Sequence, residues 1–432
     1  MNFQLQKNSF LFFSFGLIIT FIILNYSYRN MPNVLFIYSL LIVGVIIIKA
    51  QISIWSIKVI TFFLPLISLA IQYNTGFSYG LLQSNKVPLY YNQIMLCSCI
   101  YLYGIYNIIT FTNILAKEKN FLKFNLKISS TAIMVLGMIA MLSAVIRFPT
   151  LPFTYDRVNR FKTLIPGNAW AYWAVIPLYI ISFANKQSLF IKRYTQFCVL
   201  FVFFEFISHY ERVELMGLGV LLILLYAAKK GIKMNLKRIA VFSGVFILLL
   251  YFMTFIDQVR NGQFKGFFDK SILSDILVIH STTDVVYSST IAFDYYYKNG
   301  PLLGETYLFY FLRFIPGNFA DKYLINNIYL QNYPYPGGSY LLNEPFLNFG
   351  LFGIILLVLF EYIVFRILFK RLTGVRYCYY IFFVAAVFRV NWYGIIRYTE
   401  TAVLFYIPLL IIIVRFIDNA VISKYRKSVE RV

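Results

Sequence analysis

Pro334-Tyr335-Pro336-Gly337-Gly338-Ser339-Tyr340-Leu341-Leu342-Asn343-Glu344-Pro345-Phe346-Leu347-Asn348 ends a long polar segment that begins at Asp257. No other part of the chain stays polar for so long. A structureless loop of this length is rare in a compact protein, so the segment is expected to be partly folded and to carry function. Within it, Lys270–Lys298 has Ile272, Ile276, Ile279, Val286, Ile291 and Phe293 at roughly helical spacing, which predicts an amphipathic helix over the membrane surface. Asn299-Gly300-Pro301 ends that helix. Tyr307–Ile315 is a second apolar piece, too short to span a bilayer, closed by Pro316-Gly317.

Around this island the chain is apolar. It is 60% hydrophobic and 13% charged over 432 residues, the composition of a polytopic membrane protein. Twelve stretches are long and apolar enough to cross, near 9–28, 33–49, 56–73, 91–114, 128–147, 168–184, 194–210, 213–229, 239–256, 346–366, 377–395 and 399–417. The first run lacks a small-residue cleavage site and reads as a retained span. Three regions follow: helices 1–9 over 1–256, a large external helical loop over 257–345, and helices 10–12 with a basic tail over 346–432. Cys97, Cys99, Cys198 and Cys378 fall in apolar stretches and suggest no disulfide framework.

Lys and Arg outnumber Asp and Glu by 39 to 17. In a membrane protein this excess reports orientation, not nucleic-acid binding. Lys117, Lys119, Lys123 and Lys127 mark one face, as do Lys229, Lys230, Lys233, Lys237 and Arg238, and the tail from Lys424. That face is assigned to the cytoplasm, which puts the island outside.

The outer side carries fewer basic residues, mostly arginine: Arg147, Arg157, Arg160, Arg212, Arg260, Arg313, Arg389 and Arg397. An anionic substrate at the membrane surface would account for them, because a guanidinium grips phosphate oxygens bidentately; snorkelling or local pairing is the plainer account. Arg212 sits in a turn of a few residues between two spans, and Arg389 lies inside one. Candidate bases are Glu344 and His280, with Asp284 and His209 behind them. No His pair stands at metal-ligand spacing and no Gly-rich phosphate loop occurs, so neither metal nor cofactor is expected.

Gly304-Glu305-Thr306-Tyr307, Phe314-Ile315-Pro316-Gly317, Gly337-Gly338-Ser339 and Asn343-Glu344-Pro345-Phe346-Leu347-Asn348-Phe349-Gly350-Leu351-Phe352-Gly353 together resemble the Wzy-type polymerases that assemble O-antigen and capsular repeat units. The Tyr210-Glu211-Arg212 turn, the late external loop and an Arg-containing turn before the last span share the likeness. The resemblance implies a GT-C-like, all-α, metal-independent glycosyltransferase in the bacterial inner membrane with its site facing the periplasm. Its substrates would be undecaprenyl-diphosphate-linked oligosaccharides as donor and acceptor. Its partners would be membrane lipid, a chain-length regulator and a flippase. The physics fits at one point: expelling a lipid diphosphate calls for fixed positive charge near the leaving oxygen, and the acceptor hydroxyl for a weak base. Arg212, Arg260, Arg397, Glu344 and His280 are accordingly the catalytic candidates. Arg313, Arg389, Arg157, Arg160, Asn348 and Tyr340 are the substrate-binding ones. An O-antigen ligase, a flippase or transporter, and a scaffolding membrane protein are the alternatives.

Overall fold

A helix in a membrane must satisfy its own backbone, and among the described residues every long element in this computed structural model is a helix. The structure describes residues 32–75, 87–122, 128–147, 174–180, 188–209, 212–229, 280–312, 321–325, 338–394 and 402–429, with 244, 248, 251 and 255 between. The helices are α1 (Pro32–Ala50), α2 (Ile54–Thr75), α3 (Val87–Phe111), α4 (Ile114–Leu122), α5 (Ser130–Arg147), α6 (Leu189–Ser208) and α7 (Arg212–Lys229). After these come α8 (His280–Asn299), α9 (Glu305–Leu312), α10 (Asn343–Leu368), α11 (Gly374–Ala385), α12 (Val387–Tyr393) and α13 (Ile407–Val429).

Among the described residues four helices are long and apolar enough to cross a membrane: Asn33–Ala50, Ile54–Asn74, Tyr90–Phe111 and Asn343–Leu368. Ser130–Ile146 and Leu215–Ala228 are shorter apolar helices. The expected span at 9–28 lies outside the described residues, as do most of those at 168–184 and 239–256. The expected span at 377–395 is two helices, α11 and α12, separated at Ala386. No Pro or Gly announces that break. Outward faces are greasy: Ile37, Leu41 and Ile48 on α1, and Phe352, Ile355 and Ile363 on α10, are exposed, while Glu361 faces inward. A charged side chain turned inward beneath an apolar outer face is the arrangement that lipid selects.

The described residues cluster into two units. The first draws on Met1–Ala116, Leu273–Ile367 and Val390–Ile395; the second on Lys117–Ile272, Leu368–Arg389 and Ile396–Val432. In the first, α1, α2 and α3 alternate in direction. Asn33 and Asn74 exchange amide hydrogen bonds of 2.7 and 3.0 Å at one end, and Lys49 donates to Thr110 at the other, 2.9 Å. The later part of α10 runs antiparallel to α2, since Glu361 meets Lys58 and Phe365 packs on Trp55.

Two breaks shape this unit, and both can be read residue by residue. Pro65 lies inside α2, where its missing N–H leaves the Thr61 carbonyl without its helical donor. The Trp392 indole Nε1 donates to that carbonyl instead, at 2.9 Å. Beside it Asn391 Nδ2 donates to the Lys58 carbonyl (2.8 Å) and Tyr340 OH to the Phe62 carbonyl (2.9 Å). The carbonyls of Trp392 and Asn391 end the short α12 and lack helical donors in turn. The N–H groups of Ser339 and Leu341 supply them, at 2.9 and 3.0 Å.

The second break is Gly350, with φ 59° and ψ −141° inside α10. Residues eight apart in a straight helix stand about 12 Å from each other. Here the Pro345 carbonyl presses against Gly353, leaving no room for a Cβ, so the chain bends back at Gly350. Residues 343–349 therefore form a short helix of their own, and the span proper begins after Gly350. The carbonyls of Leu347 and Asn348, freed by the bend, accept from the N–H groups of Leu302 and Leu303 (3.0 and 3.1 Å). A side chain at Gly350 would also meet the Tyr296 hydroxyl.

Residues 285–294 of α8 are all buried, so over this stretch the expected helix with one wet face is instead enclosed. Small side chains allow this: Ser288, Ser289 and Thr290 turn their hydroxyls back onto carbonyls of their own helix. Thr282 hydrogen-bonds Ser68 of α2 (2.8 Å), and Tyr90 of α3 donates to Asp294 (2.8 Å). The end of the polar island, Gly338–Asn343, is thus sealed against the middle of α2.

In the second unit Tyr194 of α6 donates to the Met134 carbonyl of α5 (2.7 Å), and Gly137 lets the two helices touch. The Ser129 N–H donates to Asp418 of α13 (3.1 Å), and Tyr380 of α11 to Glu118 of α4 (2.7 Å).

Burial at Ser339 is directly measurable. In a variant whose four native cysteines are alanine, Ser339→Cys should resist a maleimide in open membrane sheets, whereas Lys322→Cys, at an exposed position, should label readily. Equal labelling would show that the Gly338–Asn343 stretch stands in water.

Candidate functional site

The quoted stretch ends in one enclosed carboxylate, Glu344, with Tyr310 of α9 beside it. Glu344 occupies the first turn of the short helix 343–349, where the N-terminal dipole favours an anion. It is 6% exposed, and Tyr310 of α9 donates to its Oε2 at 3.0 Å. The neighbouring Tyr307 hydroxyl is held well above its ordinary pKa by burial first and by the Glu344 charge second. A carboxylate that gathers phenols while enclosed in protein can accept a proton or orient a hydroxyl group.

Asn348 fixes α9 to this helix. Its Nδ2 donates to Thr306 Oγ1 (2.6 Å) and to the Glu344 carbonyl (2.8 Å), while its Oδ1 accepts from the Gly304 N–H (2.8 Å). Gly304 has φ 97°, a conformation that glycine adopts freely. Below, Phe346 stacks on Phe293 with centroids 3.8 Å apart and touches Tyr296. Asn343 Nδ2 donates to Ser288 (2.9 Å), which ties the same helix to α8.

Of the sequence candidates, Glu344, Asn348 and Tyr340 come together in this unit. Asn348 and Tyr340 are buried, with their polar groups bonded inside the protein. Arg389 is half-buried in α12. Arg212 and His280 are the first residues of α7 and α8, and their side chains lie outside the described set. Arg157, Arg160, Arg260, Arg313 and Arg397 lie outside the described residues altogether. His209 is buried at the end of α6, with Nδ1 2.9 Å from the Glu205 carbonyl.

Sequence reasoning passed over Lys58. Its Nζ lies 2.7 Å from Glu361 Oε1, both groups are almost wholly buried, and Tyr101 donates to the same carboxylate at 3.0 and 3.2 Å. Lys58 is inside an apolar run and reads there as a stray charge. A single Lys in one span and a single Glu in another were the signal. Removing one partner of such a pair typically costs about 3–5 kcal/mol, since the other is left buried and alone.

Compared with family models, curated proteins and solved structures, the chain matches none.

Asn348 and Tyr310 both hold the segment around Glu344 in place. Asn348→Ala leaves the Gly304 N–H and Thr306 hydroxyl short of a partner and should lower stability by about 1–3 kcal/mol, read as an earlier thermal transition in detergent. Tyr310→Phe, which keeps the ring but takes a donor from the enclosed Glu344 carboxylate, should shift it by a comparable amount. An Asn348→Ala protein as stable as the parent would contradict the stapling role.

Proposed function

We propose that the protein polymerises lipid-linked oligosaccharide repeat units, as a GT-C-like enzyme with about twelve spans. The observation that carries this reading is Glu344: a carboxylate in the motif-bearing segment, enclosed beside Tyr307 and Tyr310 at the start of a helix that leads into a span. In this mechanism Glu344 accepts the proton of the acceptor's non-reducing-end hydroxyl, with His280 as the other candidate base. The hydroxyl oxygen bonds to the donor's anomeric carbon as the bond to the lipid diphosphate breaks. Arg212, Arg260 and Arg397 stabilise the departing diphosphate; Arg157, Arg160, Arg313 and Arg389 hold the substrates. Asn348 and Tyr340 act by holding the segment that carries Glu344 in place. The site would face the periplasm, with a chain-length regulator and a flippase as partners.

The buried Lys58–Glu361 pair favours a second reading, a flippase or transporter, because charges inside spans often mark a path for polar cargo. Lys58 stands near the start of α2, however, and Tyr101 completes the coordination of Glu361, which is how a structural pair looks.

The two readings part on chain length. At matched membrane levels, Glu344→Gln and Arg→Lys at 212, 260 or 397 should each reduce polymerisation roughly a hundredfold to a thousandfold, leaving surface glycan as single repeat units on gels. Full-length polymer from Glu344→Gln and from all three arginine variants would refute the polymerase. Loss of all surface glycan, single units included, would favour the transporter.

A further inference from the structure

α9 is eight residues long, far too short to span a bilayer, yet one side of it is as apolar as a span. Thr306 and Tyr310, one turn apart, are buried against the 343–349 helix. On the opposite side Leu308 and Phe311 stand exposed, and Leu303 in the preceding turn is exposed with them. Leu303 and Phe311 are each 75% exposed, and bare apolar surface of this kind marks a contact with a partner or a membrane. Leu303 is also held at φ 47°, in the left-handed region that an aqueous turn usually gives to Gly or Asn.

Neighbouring contacts set the level at which this side stands. The bend at Gly350 brings Pro345 against Gly353, so the 343–349 helix lies beside the first turn of the span. Phe346 stacks on Phe293, whose ring centroid is 6.4 Å from that of Tyr90, the first residue of the span Tyr90–Phe111. Two spans thus hold the short helix level with their own ends. α9 runs antiparallel to it, with Gly304 and Thr306 on Asn348 and Tyr310 on Glu344. The Leu303 N–H donates to the Asn348 carbonyl, and Leu351 and Phe352, the first exposed residues of the span, follow directly after the bend. Exposed apolar surface therefore runs on from the span to α9. Glu305, also exposed, sits at the end of α9 that packs on Asn348.

We propose that α9 lies in the bilayer, at the polar–acyl boundary of the leaflet where α10 begins, with Leu303, Leu308 and Phe311 against phospholipid acyl chains and Glu305 among the headgroups. Part of the segment that reads as an external loop is then a membrane-seated element, in the manner of an interfacial amphipathic helix. Glu344, bonded to the inner side of α9, is held at the bilayer surface and not above it. This placement is independent of the glycan chemistry and would hold in a transporter as well.

The test places single cysteines at 303, 305, 308 and 311 in the full chain with its four native cysteines changed to alanine. Each is spin-labelled in phosphatidylcholine–phosphatidylglycerol vesicles, and relaxation by oxygen, which concentrates among acyl chains, is compared with relaxation by a neutral nickel chelate, which stays in water. Oxygen should dominate at Leu303→Cys, Leu308→Cys and Phe311→Cys, and the nickel chelate at Glu305→Cys. Nickel dominance at any of the first three would overturn the proposal, as would oxygen dominance at Glu305→Cys. Labels at 308 and 311 that neither reagent reaches would also overturn it, because protein would then cover the face. Should the cysteine-free chain fail to fold, p-benzoylphenylalanine in place of Phe311 in the otherwise native chain decides. Irradiation in the same vesicles should add the mass of one phospholipid, and a chain that gives no lipid adduct would contradict the placement.

Discussion

The first unit depends on one missing hydrogen bond. Pro65 removes a donor from the middle of α2 and leaves the Thr61 carbonyl to be satisfied from outside the helix. In lipid such a group has no water to turn to, so the fold must supply a partner. Trp392 does so, and its position calls for the rest. The carbonyls of Asn391 and Trp392 need caps, Ser339 and Leu341 provide them, and Tyr340 then reaches the next carbonyl of α2. A loop that is polar in sequence is thereby anchored inside a helical bundle.

The break at Gly350 uses the same currency of freed carbonyls. Bending α10 releases Leu347 and Asn348, and the turn at Leu302–Gly304 takes them up and carries α9 with it. Glu344 is enclosed as a consequence, between the bend and α9. Gly350 and Asn348 are therefore explained by backbone geometry, whereas the Glu344 side chain, which neither break requires, is held by Tyr310. That contrast is why the proposed mechanism gives Glu344 the proton-accepting role.

Much of this could be read from the chain and some could not. Apolar runs located α1, α2, α3 and α10 because a span's length is set by the bilayer. The helix expected over 270–298 is present over 280–299 among the described residues and ends at Asn299-Gly300-Pro301, and the short apolar piece expected at 307–315 is helical over 305–312. Full burial of 285–294 was hidden, since serines and threonines that bond to their own helix look hydrophilic in sequence. The division at Ala386 carries no local signal, and Lys58 was masked by its apolar neighbours. Asn348 and Tyr340 were singled out as substrate-binding residues, and the contacts the structure shows for them are internal to the protein.

The dependence of the bundle on the gap at Pro65 can be measured by a double-mutant cycle on thermal or denaturant unfolding in detergent. Trp392→Phe should cost about 1–3 kcal/mol in the parent, where it strands the Thr61 carbonyl. In a Pro65→Ala background the alanine N–H serves that carbonyl, so most of the cost should vanish and the two substitutions should be strongly non-additive. An equal cost of Trp392→Phe in both backgrounds would mean that the indole only fills space, and would contradict the account.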